Sequence, residues 1–209
     1  MKTIYFIRHS APFIEIENYK NNENIKWNEV NRNMILSVKG EENAKKLCEI
    51  EELKSIDEIY ASNSARAIGT AKCIAELNNK SIKLDERINE REFGVDYIKD
   101  LPDNFTKKSF DDKNFKINNG ESLNEVDKRL KLFISEILNS EYDKNVIVMH
   151  GIILLSYFQT ICSDFSYDGR SFKIKFNNNI IVNETLGNPS VYKIVYDEKN
   201  NVISVDEIF

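Results

Sequence analysis

The chain contains two histidines, His9 and His150, and each follows an apolar run. Ile4 to Ile7 leads into Arg8 and His9, and Val146 to Met149 leads directly into His150. Free imidazole titrates at about 6.5, so near neutral pH it keeps a lone pair able to act as base or nucleophile. Short apolar runs rich in β-branched and aromatic residues read as buried strands. In an open α/β sheet the carboxyl ends of the strands line the ligand crevice, so both imidazoles are expected on one functional edge. A lone histidine is more often a packed core or loop residue; two at matching positions favour shared chemistry.

Arg8 adjoins the first histidine, and Arg66 falls in the first turn of a helix expected after the second strand. Guanidinium groups beside a helix N-terminus neutralise phosphoryl oxygens without a metal. Each close charge contributes on the order of 4 kcal/mol at an effective dielectric of about 20. Taken alone, Arg66 reads equally well as a solvated helix residue. The acid-rich stretch Asp85 to Glu92 offers three carboxyls as proton donor, Glu86, Glu90 and Glu92, and spacing does not choose among them. A two-histidine metal site lacks a third ligand at helical spacing, so neither metal nor cofactor is expected.

Alternating segments must position these groups. Thr3 to Ile7 reads as the opening strand, and Pro12 to Asn33 as a long polar loop. Ser37 caps a helix with Val38, Ala44, Leu47 and Leu53 as its apolar stripe. Ile56 to Ala61 is a second strand; Ser62 to Ser64 then open a helix carrying Ala67, Ala71, Ile74 and Leu77. Ile82 to Leu84 is a short strand, and Lys99 to Asn119 reads as irregular. Ser122 with Glu125 forms a capping box for a helix bearing Val126, Leu130, Phe133, Ile134, Ile137 and Leu138. Val146 to Met149 is a buried strand followed by an apolar helix, Gly151 to Ile161. Phe172, Ile174 and Phe176, Val191 to Tyr196 and Val202 to Val205 are late strands expected to close the sheet. Parallel strands need helical crossovers, so the expected fold is a three-layer α/β/α sandwich: a mostly parallel central sheet with helices on both faces, in one domain over 1–209.

Composition is that of a globular protein, 41% hydrophobic and 30% charged over 209 residues. A net charge of -5 gives no basic footprint for nucleic acid or membrane. The first apolar run stops at Arg8, too early for a signal-peptide core, and three widely spaced cysteines fit a reducing compartment. A cytoplasmic location is expected.

Several of these segments together resemble the histidine phosphatase (phosphoglycerate mutase-like) superfamily. Ile7-Arg8-His9-Ser10 is similar to its Arg-His-Gly signature, with Ser10 where the family has glycine. Leu36-Ser37 through Gly40 to Ala44 resembles a family helix start, and Ala61-Ser62-Asn63-Ser64-Ala65-Arg66-Ala67 its Ser-Ser-Pro-Leu-x-Arg-Ala block. Asn89-Glu90-Arg91-Glu92-Phe93-Gly94 is similar to the segment holding the acid. Gly120-Glu121-Ser122 with Arg129, Val148-Met149-His150-Gly151 and Asn188-Pro189-Ser190-Val191 match further blocks. They run in family order across nearly the whole chain.

The resemblance implies a phosphomonoesterase acting on a small phosphorylated molecule or a phosphoprotein. His9 would become a phosphohistidine, Glu90 would serve as general acid and base, and His150, Arg8, Arg66 and Ser62 would bind the phosphoryl group. A phosphoglycerate-type mutase and a non-catalytic phospho-ligand-binding module are the alternatives. The chain's length and the absence of the family's Thr-x-Trp-Asn run after the first motif favour hydrolysis over the mutase; Trp27-Asn28 is either a displaced counterpart of that run or a loop anchor.

Overall fold

The computed structural model describes residues 1–13 and 26–209; positions 14–25, inside the expected loop from Pro12 to Asn33, lie outside the described residues. A six-stranded sheet runs through the molecule. Its strands are β1 (Lys2–Arg8), β2 (Glu58–Ala61), β3 (Ile82–Leu84), β4 (Lys144–Met149), β8 (Ser190–Tyr196) and β9 (Val202–Glu207), in the spatial order β3-β2-β4-β1-β8-β9. The pairings β3·β2, β2·β4 and β4·β1 are parallel, whereas β1·β8 and β8·β9 are antiparallel. The sheet is therefore mostly parallel, as expected.

The layers follow from the two-residue period of a strand, which sends alternate side chains to opposite faces. Ile4 and Phe6 of β1, Ile147 and Met149 of β4, and Tyr192 and Ile194 of β8 pack on one face against α5 (Leu123–Leu138) and α6 (Gly151–Ile161). Tyr5 and Ile7, Val146 and Val148, and Val191 pack on the other, against α3 (Ala65–Asn78) and the segment following α2 (Val38–Lys46). Two cores on either side of one sheet make the three-layer sandwich. Among the described residues no helix is long and apolar enough to cross a membrane.

The caps match their sequence signals, with one exception. Ser37 accepts from the Gly40 N–H, and Ser122 and Glu125 form a complete capping box. Ser64 occupies the N-cap of α3, yet its side chain makes no capping bond, forgoing about 1 kcal/mol of helix stabilisation.

Four expectations need correction. The long loop ends in a helix, α1 (Trp27–Asn33). The segment from 99 to 119 contains α4 (Phe105–Asp111), whose buried Phe105, Ser109 and Phe110 share one face, a stripe obscured in sequence by flanking charges. The helix capped by Ser37 stops at Lys46 and gives way to two short 3-10 turns; Val38 lies in solvent because it stands six positions before Ala44, off the buried face, and Leu77 lies on the flank of the α3 stripe. Finally, Phe172, Ile174 and Phe176 do not close the central sheet. They belong to β6 (Phe172–Phe176), the middle of a separate antiparallel sheet with β5 (Asp164–Tyr167) and β7 (Asn179–Glu184), and all three rest on the α5–α6 side of the core. Period two specifies a half-buried strand but not which sheet it joins.

The chain leaving β1 is stitched to the start of α2. Ala11 O accepts from the Ser37 N–H at 3.0 Å and from Ser37 Oγ at 3.1 Å. A Cβ placed on Gly40 would stand 2.0 Å from that same Ala11 oxygen. We expect Gly40→Ala to lower stability by about 1–3 kcal/mol, because backbone rather than a flexible side chain must move; an unchanged denaturant midpoint would show that the two segments do not touch as described.

Candidate active site

Three neighbouring parallel strands deliver their next residues to one place. In the register, Arg8 of β1 pairs with Met149 of β4, and Val148 of β4 pairs with Ala61 of β2. One step beyond these ends stand His9, His150 and Ser62. The His9 N–H donates to Met149 O at 2.9 Å, and the Ser62 N–H donates to Val148 O at 3.1 Å. Adjacent strands lie about 4.8 Å apart, and the two imidazole centroids are accordingly 5.1 Å apart, inclined at 60°.

Hydrogen bonds assign the protons. His9 Nδ1 lies 2.8 Å from Ser10 O; a carbonyl only accepts, so Nδ1 carries the hydrogen and Nε2 presents the lone pair. Arg66 Nε donates to that Nε2 at 3.0 Å, and its Nη2 donates to His150 Nδ1 at 2.9 Å. Arg66 also grips Asn31 of α1, Nη2 donating to Oδ1 at 2.7 Å and Nη1 to the main-chain carbonyl. Arg8 points Nη1 at Leu186 O, 2.7 Å away, while its buried Nε has no partner among the described residues.

His9, Arg66 and His150 are all buried. Burial first, then the Arg66 guanidinium, pushes His9 down to about 3. Burial likewise holds His150 well below its ordinary value, with His9 and Arg66 adding to the effect. Both rings are therefore neutral across the ordinary pH range.

Beside the imidazoles opens a cavity of about 700 Å³, lined by Asn31, Asn63, Ser64, Glu90 and His150 among others. The three candidate carboxyls all border it but differ in setting. Glu86 and Glu92 are exposed, whereas Glu90 is half-buried, and burial raises its pKa against the opposing pull of the Arg91 N–H and Arg66. A carboxyl whose proton is held more tightly than usual is better suited to proton donation. Its loop is braced from behind: Arg91 donates to Glu121 O at 2.6 Å, to Ser109 Oγ at 2.6 Å and to Phe115 O at 2.9 Å. Arg129 clamps both Glu121 carboxylate oxygens, at 2.8 and 2.9 Å.

Ser62 departs from its expected place as a phosphate ligand. It is fully buried, and its hydroxyl lies 2.7 Å from His150 Nε2 and 3.0 Å from Ser64 Oγ. Ser10 fits where the family has glycine because its hydroxyl turns inward to Gly40 O, at 2.7 Å. Trp27 is an anchor: its ring stacks on Phe93 at 6.0 Å, tying α1 to the Glu90 loop. Asn31 was missed, since a bond spanning 35 residues inside an asparagine-rich segment leaves no local signal. Among the described residues, no group of three or more His, Cys, Asp or Glu side chains could hold a metal ion.

A family-level comparison matches residues 4–203 to the histidine phosphatase superfamily (branch 1). The chain belongs to that superfamily. It is 26% identical over 188 residues to a probable phosphoglycerate mutase GpmB of Enterobacter sp. (strain 638), covering 84% of this chain and 81% of that protein. It is 29% identical over 105 residues to a putative phosphoserine phosphatase 2 of Hydrogenobacter thermophilus (strain DSM 6534 / IAM 12695 / TK-6), covering 47% of this chain and 52% of that relative, about half its length. A mycobacterial glucosyl-3-phosphoglycerate phosphatase structure shares the fold, with a TM-score of 0.68 and 16% identity over 99% of this chain and 97% of that one. Proteins named as phosphatases and as mutases thus both stand among those this superfamily member resembles.

The lowered imidazole pKa values carry a stability consequence. The unfolded chain takes up protons on His9 and His150 below about pH 6.5, whereas the folded chain holds His9 neutral down to about 3. Stability is then fully present above pH 6.5 and falls with decreasing pH, by up to about 1.4 kcal/mol per unit for each histidine. We expect this slope between pH 6.5 and 5, before most carboxylates titrate, in denaturant midpoints. A ring signal titrating near 6.5 in NMR of the folded protein would refute it.

Proposed function

We propose that the protein is a phosphomonoesterase that hydrolyses a small phosphorylated molecule through a phosphohistidine on His9. The observation that carries this reading is the unprotonated Nε2 of His9, fixed by the Nδ1–H bond to Ser10 O, accepting from Arg66 Nε and standing beside His150. Once Arg66 Nε turns from Nε2 to a phosphoryl oxygen, His9 Nε2 attacks phosphorus in line. The phosphorus–ester oxygen bond breaks, its electron pair leaves with the oxygen, and Glu90 supplies that oxygen with a proton. Water then attacks the phosphohistidine, Glu90 takes its proton, and the phosphorus–nitrogen electron pair returns to Nε2. Arg8 and Arg66 neutralise the phosphoryl oxygens as charge develops and His150 hydrogen-bonds one of them, so no metal is required.

Hydrolysis is preferred to mutase chemistry because a mutase must keep water from the phosphohistidine. Among the described residues the cavity is instead bordered by exposed polar side chains such as Asn28, Glu86 and Glu92, which lets water approach. Its volume suits a small metabolite, and three free thiols agree with a reducing, cytoplasmic setting.

On this reading Arg66 must exchange partners. Its bonds to His9, to His150 and twice to Asn31 use four of its five N–H groups, so an entering phosphoryl oxygen displaces Asn31. We expect Asn31→Ala, which removes one competing acceptor worth about 0.5–1.5 kcal/mol, to lower KM roughly two- to tenfold; a raised KM would mean that Asn31 assists binding instead.

His9→Ala should abolish turnover of every phosphomonoester, a loss of about 10⁴-fold or more. Glu90→Gln should slow aliphatic phosphates by about 10²- to 10⁴-fold while sparing aryl phosphates whose leaving group needs no proton. Turnover surviving in the His9 variant would end the mechanism, and equal slowing of both substrate types would remove Glu90 as the acid. A screen of sugar phosphates, phosphoglycerates, phosphoamino acids and nucleotides supplies the substrates.

A further inference from the structure

Two buried hydroxyls, those of Ser62 and Ser64, stand behind His150 with no part in the reaction above. Ser64 is the N-cap of α3 but makes no capping bond. Its Oγ instead lies 3.0 Å from Ser62 Oγ and 3.4 Å from His150 Nε2, while Ser62 Oγ lies 2.7 Å from the same nitrogen. Ser62 is fully buried and Ser64 borders the cavity. The pair therefore forms a short chain of hydroxyls from the back of the ring to solvent.

Arg66 settles the proton at the other side of the ring. A guanidinium only donates, so His150 Nδ1, 2.9 Å from Arg66 Nη2, must be bare. The neutral ring then carries its hydrogen on Nε2, Ser62 Oγ accepts it, and the Ser62 hydrogen is free to point at Ser64. Unlike a guanidinium or a carbonyl, a hydroxyl can reverse these roles.

We infer that Ser62 is a positioning residue that holds the His150 tautomer Arg66 selects and allows it to reverse when an anion binds. The reversal rests on the proposed function and extends its exchange of partners: the bound anion takes the Nη2 hydrogens of Arg66 from His150 as well as from Asn31. His150 would then meet the anion with a lone pair unless its proton moved to Nδ1. In the ligand-free site burial and the nearby Arg66, Arg129 and Arg8 disfavour an imidazolium, so the ring enters the exchange neutral.

The hydroxyl chain moves the proton with no change in net charge. The Nε2 proton passes to Ser62 Oγ, the Ser62 proton to Ser64 Oγ, and the Ser64 proton to water in the cavity, while Nδ1 takes one proton from that water. Ser62 now donates to Nε2, and Nδ1–H donates to the phosphoryl oxygen. Every hydroxyl keeps one hydrogen, and the ring stays neutral.

Two-bond proton–nitrogen correlation spectra of ¹⁵N-histidine-labelled protein test this, since the chain has just two imidazoles. Without ligand, His9 should be protonated on Nδ1 and His150 on Nε2; saturating inorganic phosphate should move the His150 proton to Nδ1. Ser62→Ala should leave the ligand-free proton on Nε2, where Arg66 puts it, but phosphate should no longer switch it, with kcat lowered about 10²-fold and KM changed far less. Ser62→Thr, which keeps the hydroxyl, should restore both. Ser64→Ala should keep the ligand-free tautomer but slow the switch.

A ligand-free His150 protonated on Nδ1, or a Ser62→Ala protein in which phosphate still moves that proton to Nδ1, overturns the proposal. So does phosphate that shifts His9 while leaving His150 protonated on Nε2, and in that case the phosphohydrolase reading survives. Phosphate that moves neither ring refutes that reading together with the reversal.

Discussion

A single buried guanidinium organises this protein. Arg66 reaches both imidazoles at once, one through Nε and the other through Nη2, and so fixes their mutual orientation and leaves each of the two facing nitrogens bare. The placement runs against helix electrostatics, because a cation in the first turn meets the positive end of the helix dipole. It also removes a charge from water, which is tolerable only when its donors are matched by acceptors. Here two neutral rings and Asn31 supply them. Departures from local preference held by surrounding structure are characteristic of sites shaped by function.

The sheet supplies the rest of the precision. Because β2, β4 and β1 are consecutive parallel neighbours, the residues just past their ends are placed by main-chain hydrogen bonds rather than by flexible side chains. Strand separation then dictates the spacing of the rings. The proton donor arrives differently, on an irregular loop, and a loop needs bracing to serve chemistry. Arg91 and Arg129, both bound to Glu121, give that bracing. This explains why a block distant from the chemistry, Gly120-Glu121-Ser122 with Arg129, belongs to the pattern at all. Gly120 and Gly94 approach so closely that a Cβ on Gly120 would lie 2.7 Å from the Gly94 nitrogen.

The hydroxyls around the histidines divide into two kinds. Ser10 is anchored to Gly40 O and its main-chain N–H donates to Thr70 Oγ1 at 2.9 Å; both bonds hold the backbone that carries the acceptor for His9 Nδ1. Ser62 and Ser64 act on His150 itself. Each imidazole therefore has its unreactive nitrogen engaged from behind, His9 by a carbonyl that cannot change role and His150 by a hydroxyl that can.

Much of this was legible in the chain alone. Apolar runs with β-branched residues marked β1, β2 and β4, helical spacing and caps marked α3, α5 and α6, and the position of His9, Arg66 and His150 relative to those elements brought them together before any coordinates. Such signals are local: periodicity and capping are properties of neighbouring residues. What only the tertiary structure decided is of another kind. Whether Ser62 faces a ligand or the back of His150, which of three carboxyls is half-buried, that Asn31 holds Arg66, and that Phe172, Ile174 and Phe176 sit in a second sheet all depend on contacts between residues far apart in sequence. Burial, proton placement and sheet membership arise from packing in three dimensions, and no local pattern of residues encodes them.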